Sequence, residues 1–338
     1  MRSEIAIDLG ALRRNAATLR RVLGGSELWA VVKADGYGHG ALDCAGAALA
    51  GGAAVLCVAT VAEALELRQA FPDPRIVVLG PTDAGEVRSV REGRLELVAT
   101  SEDVPEGVPV HLKLDTGMGR WGLSELPSPA REVVAVMTHL ATADTDLAFA
   151  RAQVERFREA TDTLGLPRHA ANSAATLRLP EARLDAARCG IALYGLSPFG
   201  TDPAADGLEP VLRWTSELAR TLLLRPGEST GYGRRFVADR DTWIGIVPVG
   251  YADGFRRDLS GTEVLVAGER RRVVGTVSMD AVSVELDREL PAGTPVTIVG
   301  DGLTLEEHAR VAGTITYELA CRIDCSPTRA HRVVREAA

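Results

Sequence analysis

Lys33 lies where an amine could act as a nucleophile or a base. It follows a short apolar run, residues 30–32, that is typical of a buried strand, and three alternate glycines follow it in the segment AVVKADGYGHG, residues 30–40. An amine at the mouth of such a strand is partly desolvated, which lowers its pKa and favours the reactive neutral form. The alternative is an ordinary lysine that packs its stem against the strand end and keeps its charge in water.

Lysine is rare in this chain. Of the 38 basic side chains, only Lys33 and Lys113 are lysines. A guanidinium is never effectively deprotonated and cannot form a Schiff base, so arginine replaces lysine only as a charge. The two positions that keep lysine therefore suggest amine chemistry.

Six further segments contain charged, hydroxyl or aromatic side chains, and three of the six also contain glycine. They are HLKLDTGMGRWG (111–122), THLATAD (138–144), ANSAA (171–175), RCGIALYG (188–195), PVGYADG (248–254) and SMD (278–280). Taken alone, ANSAA is also typical of a helix N-cap. The aspartates near His139 lack the additional His or Cys that a metal site needs, so we expect no metal.

Strand-like runs and helical segments alternate up to about residue 200, which predicts an α/β fold with a parallel (β/α)8 barrel. The predicted strands are 28–34, 55–59, 76–80, 95–100, 110–114, 133–140, 169–172 and 188–193. Functional side chains gather at the carboxyl ends of barrel strands. We therefore expect one rim to carry Lys33, Arg120, His139, Ser173 and Arg188.

Beyond about residue 210 the pattern changes to short strands separated by polar or glycine turns, which predicts a separate β domain. The predicted strands there are 218–224, 243–249, 264–267, 273–277, 282–286 and 296–299. Residues 304–307, TLEE, have the pattern of a capping box that begins a short helix.

Composition limits the functional classes. The net charge of −8 over 338 residues disfavours nucleic-acid binding. The longest run of small apolar residues, 41–59, is interrupted by Asp43 and two glycines, so no membrane span is expected. Five cysteines without framework spacing, and an N-terminus without a secretory-type apolar core, predict a cytoplasmic protein.

The segment around Lys33 resembles the pyridoxal phosphate (PLP) lysine signature of alanine racemases, and the resemblance recurs in the six further segments. It also supports the count of eight barrel strands. The resemblance implies an N-terminal strand (1–10) packed with the β domain, a PLP-binding (β/α)8 barrel (11–212) and a C-terminal mainly-β domain (213–338).

The resemblance assigns cofactor-binding roles in the barrel. It implies that Lys33 binds PLP covalently and later serves as a base. It implies that the phosphate of PLP is held by Tyr37, Ser173 and the backbone amides of Gly190 and Ile191.

Arg188 matches the arginine that faces the pyridine nitrogen of PLP. Many PLP enzymes place a carboxylate there, which keeps that nitrogen protonated and the ring a strong electron sink. Arginine cannot accept the proton, so the ring is a weaker sink. Prompt reprotonation, and hence racemisation over transamination, is then favoured.

Arg120 matches the residue that binds the substrate carboxylate and the phenolic oxygen of PLP, and a guanidinium suits both groups. Lys113 matches a position where the family carries a carbamylated lysine, an anion that would hold Arg120 in place. The alternative is an ordinary lysine paired with Asp115.

A second base is implied in the β domain. Tyr251 matches a tyrosine that acts as a base on the opposite face of the α-carbon from Lys33. The resemblance implies that Tyr251 acts on L-alanine and Lys33 on D-alanine. His139 would link it to Arg188, and these two side chains would supply the cationic surroundings that lower a phenol pKa from about 10. The backbone amide of Met279 would contact the substrate carboxylate. In the family the tyrosine and methionine come from the partner subunit, so a homodimer with shared active sites is implied.

The implied activity is interconversion of L- and D-alanine, which supplies D-alanine for peptidoglycan. A serine or broad-specificity amino-acid racemase on the same fold is the alternative, because sequence does not reveal pocket size. A basic amino-acid decarboxylase would carry a glutamate in place of Arg188 and a glycine triplet. A small PLP-carrier barrel protein would lack the β domain. One departure from the family is the missing tyrosine near the C-terminus, within residues 322–327.

Overall fold

The structure is a computed structural model that describes residues 2–101 and 104–336. Within these ranges the chain forms two compact units. The barrel unit comprises residues 11–199 and 204–209, and the β unit comprises residues 2–10, 200–203 and 210–336.

After the first strand, β1 (Ser3–Asp8), which belongs to the β unit, the described chain builds a closed barrel of eight parallel strands, as predicted. They are β2 (Glu27–Val31), β3 (Val55–Val58), β4 (Arg75–Val78), β5 (Glu96–Ala99), β6 (Val110–Lys113), β7 (Val133–Met137), β8 (Arg168–His169) and β9 (Ala186–Cys189). The ring closes where β2 pairs with β9, with Trp29 opposite Arg188. Strands covered on both faces read as apolar runs, as β3 and β5 do, whereas β8 and β9 have no such run and their prediction depended on the resemblance.

Helices lie between most of these strands. They are α1 (Leu9–Leu23), α2 (Lys33–Gly38), α3 (Ala41–Ala50), α4 (Val61–Ala70), α5 (Val87–Glu92), α6 (Leu147–Thr161) and α7 (Ser173–Arg178). A capping box between Thr60 and Glu63 begins α4. No helix within residues 2–101 and 104–336 is long and apolar enough to cross a membrane.

Several predicted barrel strands continue too far. β2 ends at Val31 and not at residue 34, β7 ends at Met137 and not at residue 140, and β8 and β9 end three and four residues before the predicted positions 172 and 193. The first error has a local cause, because residues 34–37 adopt left-handed backbone angles that no strand allows. β9 also begins at Ala186 and not at residue 188, so Arg188 is its third residue and does not open it.

The β unit is built on a nine-stranded sheet, with a separate two-stranded pair, in the described residues. β1 pairs with β10 (Leu212–Glu217) and with the last strand, β19 (His331–Arg335). The intervening strands are β11 (Arg220–Leu224), β12 (Ser229–Thr230), β13 (Phe236–Val237), β14 (Thr242–Val247), β15 (Glu263–Val266), β16 (Glu269–Val274), β17 (Val282–Leu286) and β18 (Pro295–Val299). Two helices follow β18, α8 (Leu305–Ala312) and α9 (Thr316–Arg322), and α8 begins at the predicted capping box.

Candidate active site

Lys33 is half-buried and begins a left-handed turn that directly follows the first barrel strand. Ala34, Asp35 and Tyr37 all have φ between 49° and 55°, a conformation that costs about 1–3 kcal/mol per residue without glycine. Hydrogen bonds hold the turn. The Ala34 N–H donates to Glu63 Oε1 at 2.7 Å, and the Ala41 N–H donates to Asp35 Oδ1 at 2.8 Å. The backbone that carries Lys33 is therefore fixed from both sides.

Tyr37 is buried, and its hydroxyl lies against the backbone of Gly190. A Cβ on Gly190 would lie 2.3 Å from the Tyr37 hydroxyl oxygen, so no larger residue fits there. The Tyr37 ring packs on Tyr194 at 5.0 Å between ring centroids, and the Tyr194 O–H donates to the Val31 carbonyl at 3.0 Å. The turn after the first barrel strand and the loop after the last one therefore meet at Gly190.

Ser173 reaches the same glycine from the neighbouring strand. Asn172 caps α7 by accepting the Ala175 N–H at 3.0 Å, as the ANSAA pattern suggested. The Ser173 hydroxyl then accepts the N–H groups of Gly190, at 3.1 Å, and of Ala192, at 3.4 Å. Ile191, between those two residues, is fully buried.

Arg188 carries a charge in the barrel interior and is only 3% exposed. One terminal nitrogen donates to His169 Nδ1 at 2.7 Å and to the His169 carbonyl at 2.8 Å. The other donates to the carbonyls of Thr138, at 2.8 Å, and Ala170, at 3.3 Å, and to His139 Nδ1 at 3.3 Å. Burial lowers the pKa of Arg188 to about 10, which still leaves it protonated at neutral pH. In the part of the chain described, no acidic side chain forms an ion pair with it.

His139 lies where four predicted cations converge. Burial lowers its pKa well below the ordinary value, and Arg188, Lys113, Arg120 and Lys33 lower it further, in that order. His139 is therefore neutral near pH 7, and the expectation that it supplies a positive charge is wrong. The same electrostatic effects indicate that these four side chains, which come from three other strand ends, lie near His139.

Lys113 is 3% exposed, and its pKa falls to about 8, first because of burial and then because of Arg120 and Arg188. Its Nζ lies 5.8 Å from the centroid of the Trp121 ring, and the Arg120 guanidinium carbon lies 4.9 Å from the same ring. Lys113 and Arg120 therefore share an aromatic neighbour.

Asp115 does not form the ion pair with Lys113 that was the alternative to carbamylation. Its carboxylate accepts the backbone N–H groups of Gly117, Met118 and Gly119 at 2.8–2.9 Å, and these hydrogen bonds lower its pKa although burial opposes them. No ion pair joins it to Lys113 among the described residues. Asp115 instead shapes the loop that leads to Arg120.

Two buried histidines near Arg188 were not predicted from the sequence. His111 lies within β6 and His169 ends β8, and both are essentially inaccessible. A polar residue inside an otherwise apolar barrel strand is the signal that could have found them. No group of His, Cys, Asp or Glu in residues 2–101 and 104–336 is arranged to hold a metal ion, and Asp146 caps α6.

Tyr251 and Met279 lie in the β unit and are 43% and 53% exposed. Their two segments are joined by backbone hydrogen bonds, since the Tyr251 N–H donates to the Ser278 carbonyl and the Ala252 N–H to the Met279 carbonyl, both at 3.0 Å. These exposed side chains therefore stand on one fixed pair of turns.

Asp253, which is only 2% exposed, holds these turns and was also missed. It accepts the Gly250 N–H at 2.8 Å and forms ion pairs with Arg329 at 2.9 Å and Arg2 at 3.3 Å. Both arginines also pair with Asp280, next to Met279. This cluster joins three segments that are far apart in the sequence.

The chain matches two family models, the alanine racemase N-terminal domain over residues 7–198 and the alanine racemase C-terminal domain over residues 211–334. It is 39% identical to alanine racemase 1 of Bacillus subtilis, over 94% of this chain and 90% of the relative. It is 40% identical to the alanine racemase of Streptomyces coelicolor, over 96% of this chain and 94% of the relative.

Solved structures agree with the sequence comparisons. The alanine racemase of Streptomyces coelicolor A3(2) superposes with a TM-score of 0.90 at 38% identity and covers 99% of this chain and 98% of its own. The biosynthetic alanine racemase of Pseudomonas aeruginosa gives a TM-score of 0.91 at 35% identity, covering 99% of this chain and all of its own. The racemase activity that the sequence motifs imply agrees with the name that these relatives share. The chain therefore belongs to the alanine racemase family.

Proposed function

We propose that this protein is a PLP-dependent alanine racemase that interconverts L- and D-alanine. The observation that carries the proposal is the state of Arg188, a buried guanidinium held by carbonyl and imidazole groups and without an acidic partner in the described chain. Arginine cannot take up a proton from a ring nitrogen that faces it, so that nitrogen stays neutral. This is the electronic setting that favours racemisation.

The residues present fit PLP. We propose that the amine of Lys33 binds its aldehyde carbon, and that its phosphate is held by the hydroxyls of Tyr37 and Ser173 with the amides of Gly190 and Ile191. The support is the meeting of both hydroxyls at Gly190, where a Cβ would leave no room. When bound, PLP supplies an electron sink that makes the α-hydrogen of an amino acid acidic.

Arg188 has one donor left for the ring nitrogen. The hydrogen bonds that hold it come from its two terminal nitrogens, and none from Nε goes to another described residue. Because the carbonyls at the ends of β7 and β8 fix the guanidinium plane, the direction of the Nε–H is fixed as well. We propose that this N–H donates to the pyridine nitrogen.

Lys113 meets the conditions for carbamylation. A neutral lysine amine adds to CO2, forming an N–C bond and releasing one proton, and the product carries a negative charge. A pKa of about 8 makes part of Lys113 neutral at physiological pH, and the neighbouring cations favour an anionic product. We propose that the carbamate orients Arg120, which binds the substrate carboxylate and the phenolic oxygen of PLP.

We propose a two-base mechanism in which Lys33 moves the α-proton of D-alanine and Tyr251, from a second copy of the chain, that of L-alanine. His139 accepts an N–H from Arg188 at Nδ1, so its own proton lies on Nε2 and can be donated to a phenolic oxygen. Arg188 and not His139 then supplies the charge that lowers the pKa of the phenol. The exposure of Tyr251 and Met279 supports a homodimer whose subunits complete each other's sites.

Alanine is the substrate that the names of the relatives indicate. In this proposal the enzyme acts in the cytoplasm and supplies D-alanine for peptidoglycan. The same residues could also racemise serine or a broader set of amino acids. That result would change the substrate assigned to the enzyme but not the proposed mechanism.

The test is a chirality and exchange assay in D2O over a panel of amino acids. We expect L- and D-alanine each to yield the other enantiomer with deuterium at the α-carbon. Sodium borohydride should fix the cofactor to Lys33, as seen by peptide mass spectrometry. Release of CO2 without racemisation, or fixation at another residue, would contradict the proposal.

A further inference from the structure

A chain of hydrogen bonds runs from Arg188 through the barrel interior to the opposite end of the strands. Arg188 contacts His169 Nδ1 at 2.7 Å, His169 Nε2 contacts His111 Nδ1 at 2.8 Å, and His111 Nε2 contacts Glu96 Oε2 at 2.8 Å. Glu96 is the first residue of β5, and Arg75, the first residue of β4, pairs with both of its oxygens at 2.7 and 2.9 Å.

The two ends of this chain fix every proton in it. Arg188 can only donate, so His169 Nδ1 is unprotonated and its proton lies on Nε2. That N–H donates to His111 Nδ1, which must then be unprotonated too. The proton of His111 consequently lies on Nε2 and is donated to the carboxylate of Glu96. Any other tautomer, or an imidazolium at either ring, would place two donors against each other.

The surroundings support this arrangement. The Trp29 ring packs at 4.4 Å from the His169 ring and 5.6 Å from the His111 ring, between centroids. Burial lowers the pKa of both histidines, which keeps them neutral. Burial alone would raise the pKa of Glu96, but hydrogen bonds from Arg75 and His111 outweigh it and lower that pKa to about 2. Glu96 is thus an anion throughout the neutral range.

We propose that Glu96 is a positioning residue for Arg188, acting through the fixed tautomers of His111 and His169. The positioning itself stands on the geometry of the barrel unit, and its effect on turnover rests on the proposed racemase function. With the proton of His169 moved to Nδ1, an N–H would face the N–H of Arg188. The guanidinium would then rotate, and its Nε–H would leave the direction in which the carbonyls hold it.

Two substitutions distinguish the positioning role of Glu96 from a purely structural role of its ion pair with Arg75. Glu96→Gln keeps the size of the side chain but replaces the obligate acceptor by an amide that can accept from or donate to His111. Arg75→Gln breaks the same Arg75–Glu96 pair and leaves the carboxylate facing His111. A merely structural ion pair would make the two variants alike.

The measurement is the 15N chemical shifts of the histidine side chains at pH 7.5 in apo and PLP-loaded protein, with unfolding by urea as a fold control. Wild type and Arg75→Gln should show His111 and His169 as Nε2–H tautomers, and Glu96→Gln should show mixed tautomers. In the loaded enzyme we expect kcat of Glu96→Gln to fall about tenfold with little change in KM, since a small misorientation near the reacting atoms acts on turnover. Arg75→Gln should stay close to wild type.

An Nδ1–H or imidazolium form of His169 in wild-type protein would overturn the proposal, as would equal tautomers and equal kcat for the two variants. Should Glu96→Gln fail to fold, Glu96→Asp, whose shorter side chain withdraws the carboxylate from His111, takes its place in the same comparison with Arg75→Gln. Because the apoprotein spectra do not depend on catalysis, an absence of racemase activity would refute the proposed function and leave this inference to be judged by the tautomers.

Discussion

The residues proposed to act on alanine are held in opposite ways in the two units. In the barrel unit, Arg188 and Lys113 are buried, and carbonyl and imidazole groups hold the Arg188 guanidinium. In the β unit, Tyr251 and Met279 have exposed side chains, while ion pairs of Asp253 below them hold the backbone.

The difference shows which half of the machinery is complete in one chain. Buried cations gain their pKa shifts and directions from the barrel unit alone. The side chain of Tyr251 is exposed, yet hydrogen bonds and ion pairs fix the backbone of its turn, as expected of a surface that another molecule covers. The comparison therefore predicts that a second copy supplies what Tyr251 lacks by itself.

Lys33→Arg gives the largest expected effect because it keeps the charge and removes the nucleophile. We expect racemisation to fall by more than about 10³-fold and borohydride fixation to disappear. The matched control is Lys113→Arg, which replaces the only other lysine and should still be fixed at Lys33. Residual fixation in Lys33→Arg would show that the barrel holds a different nucleophile.

Mixed dimers test whether the two units of different copies form one site. Lys33→Ala and Tyr251→Phe copies, each carrying its own tag, should be nearly inactive alone. A dimer purified through both tags has both defects in one site and a native second site, so about half of the wild-type activity should return. Heterodimers with no more activity than the separate variants would show that each site lies within one chain.

Tyr251→Phe should act differently on the two enantiomers. Removal of the phenol takes away the base for L-alanine and leaves Lys33 for D-alanine, so abstraction from L-alanine should lose about 10²-fold more than abstraction from D-alanine. The measurement is α-deuterium wash-in from each enantiomer before the product accumulates. Equal losses would argue for one base that serves both faces.

Features of the fold that depend on local residue patterns and on family motifs were predicted from the sequence. The barrel followed from alternating strand and helix signals, and the short apolar run before Lys33 marked the first barrel strand. The end of that strand was misjudged because three residues without glycine's freedom, Ala34, Asp35 and Tyr37, adopt left-handed angles that only tertiary hydrogen bonds maintain.

Properties that arise from distant partners were not predictable. His111, His169 and Glu96 lie in three different strands, and nothing in their local sequence indicates that their side chains meet. The neutral state of His139 is a consequence of burial among cations, which are known only once the barrel is closed. The cluster at Asp253 likewise joins residues from both ends of the chain.

Asp253→Asn tests the fixed turn of the β unit. The substitution keeps size but removes the charge that Arg2 and Arg329 share, so the segments of Tyr251 and Met279 should loosen and kcat should fall about tenfold. Fixation of PLP at Lys33 should be unchanged, because that residue belongs to the barrel unit. Asp258→Asn, which removes an exposed pair with Arg256, is the control and should leave kcat within about twofold. A loss of cofactor fixation in Asp253→Asn would mean that the units are not independent.

The smallest expected effect is the pH dependence of carbamylation at Lys113, in the barrel unit. Burial and neighbouring cations lower its pKa to about 8, so the neutral fraction that reacts with CO2 rises as pH rises through 8. After removal of CO2 at low pH, recarbamylation at equal dissolved CO2 should be about threefold faster at pH 8.5 than at pH 7.5. The signal of 13C-bicarbonate incorporated at Lys113 measures it, and Lys113→Arg provides the blank. An exposed lysine with its ordinary pKa near 10.5 would instead give about a tenfold ratio from a far smaller neutral fraction. The size of the ratio, and not only its direction, therefore reports whether the pocket desolvates this amine.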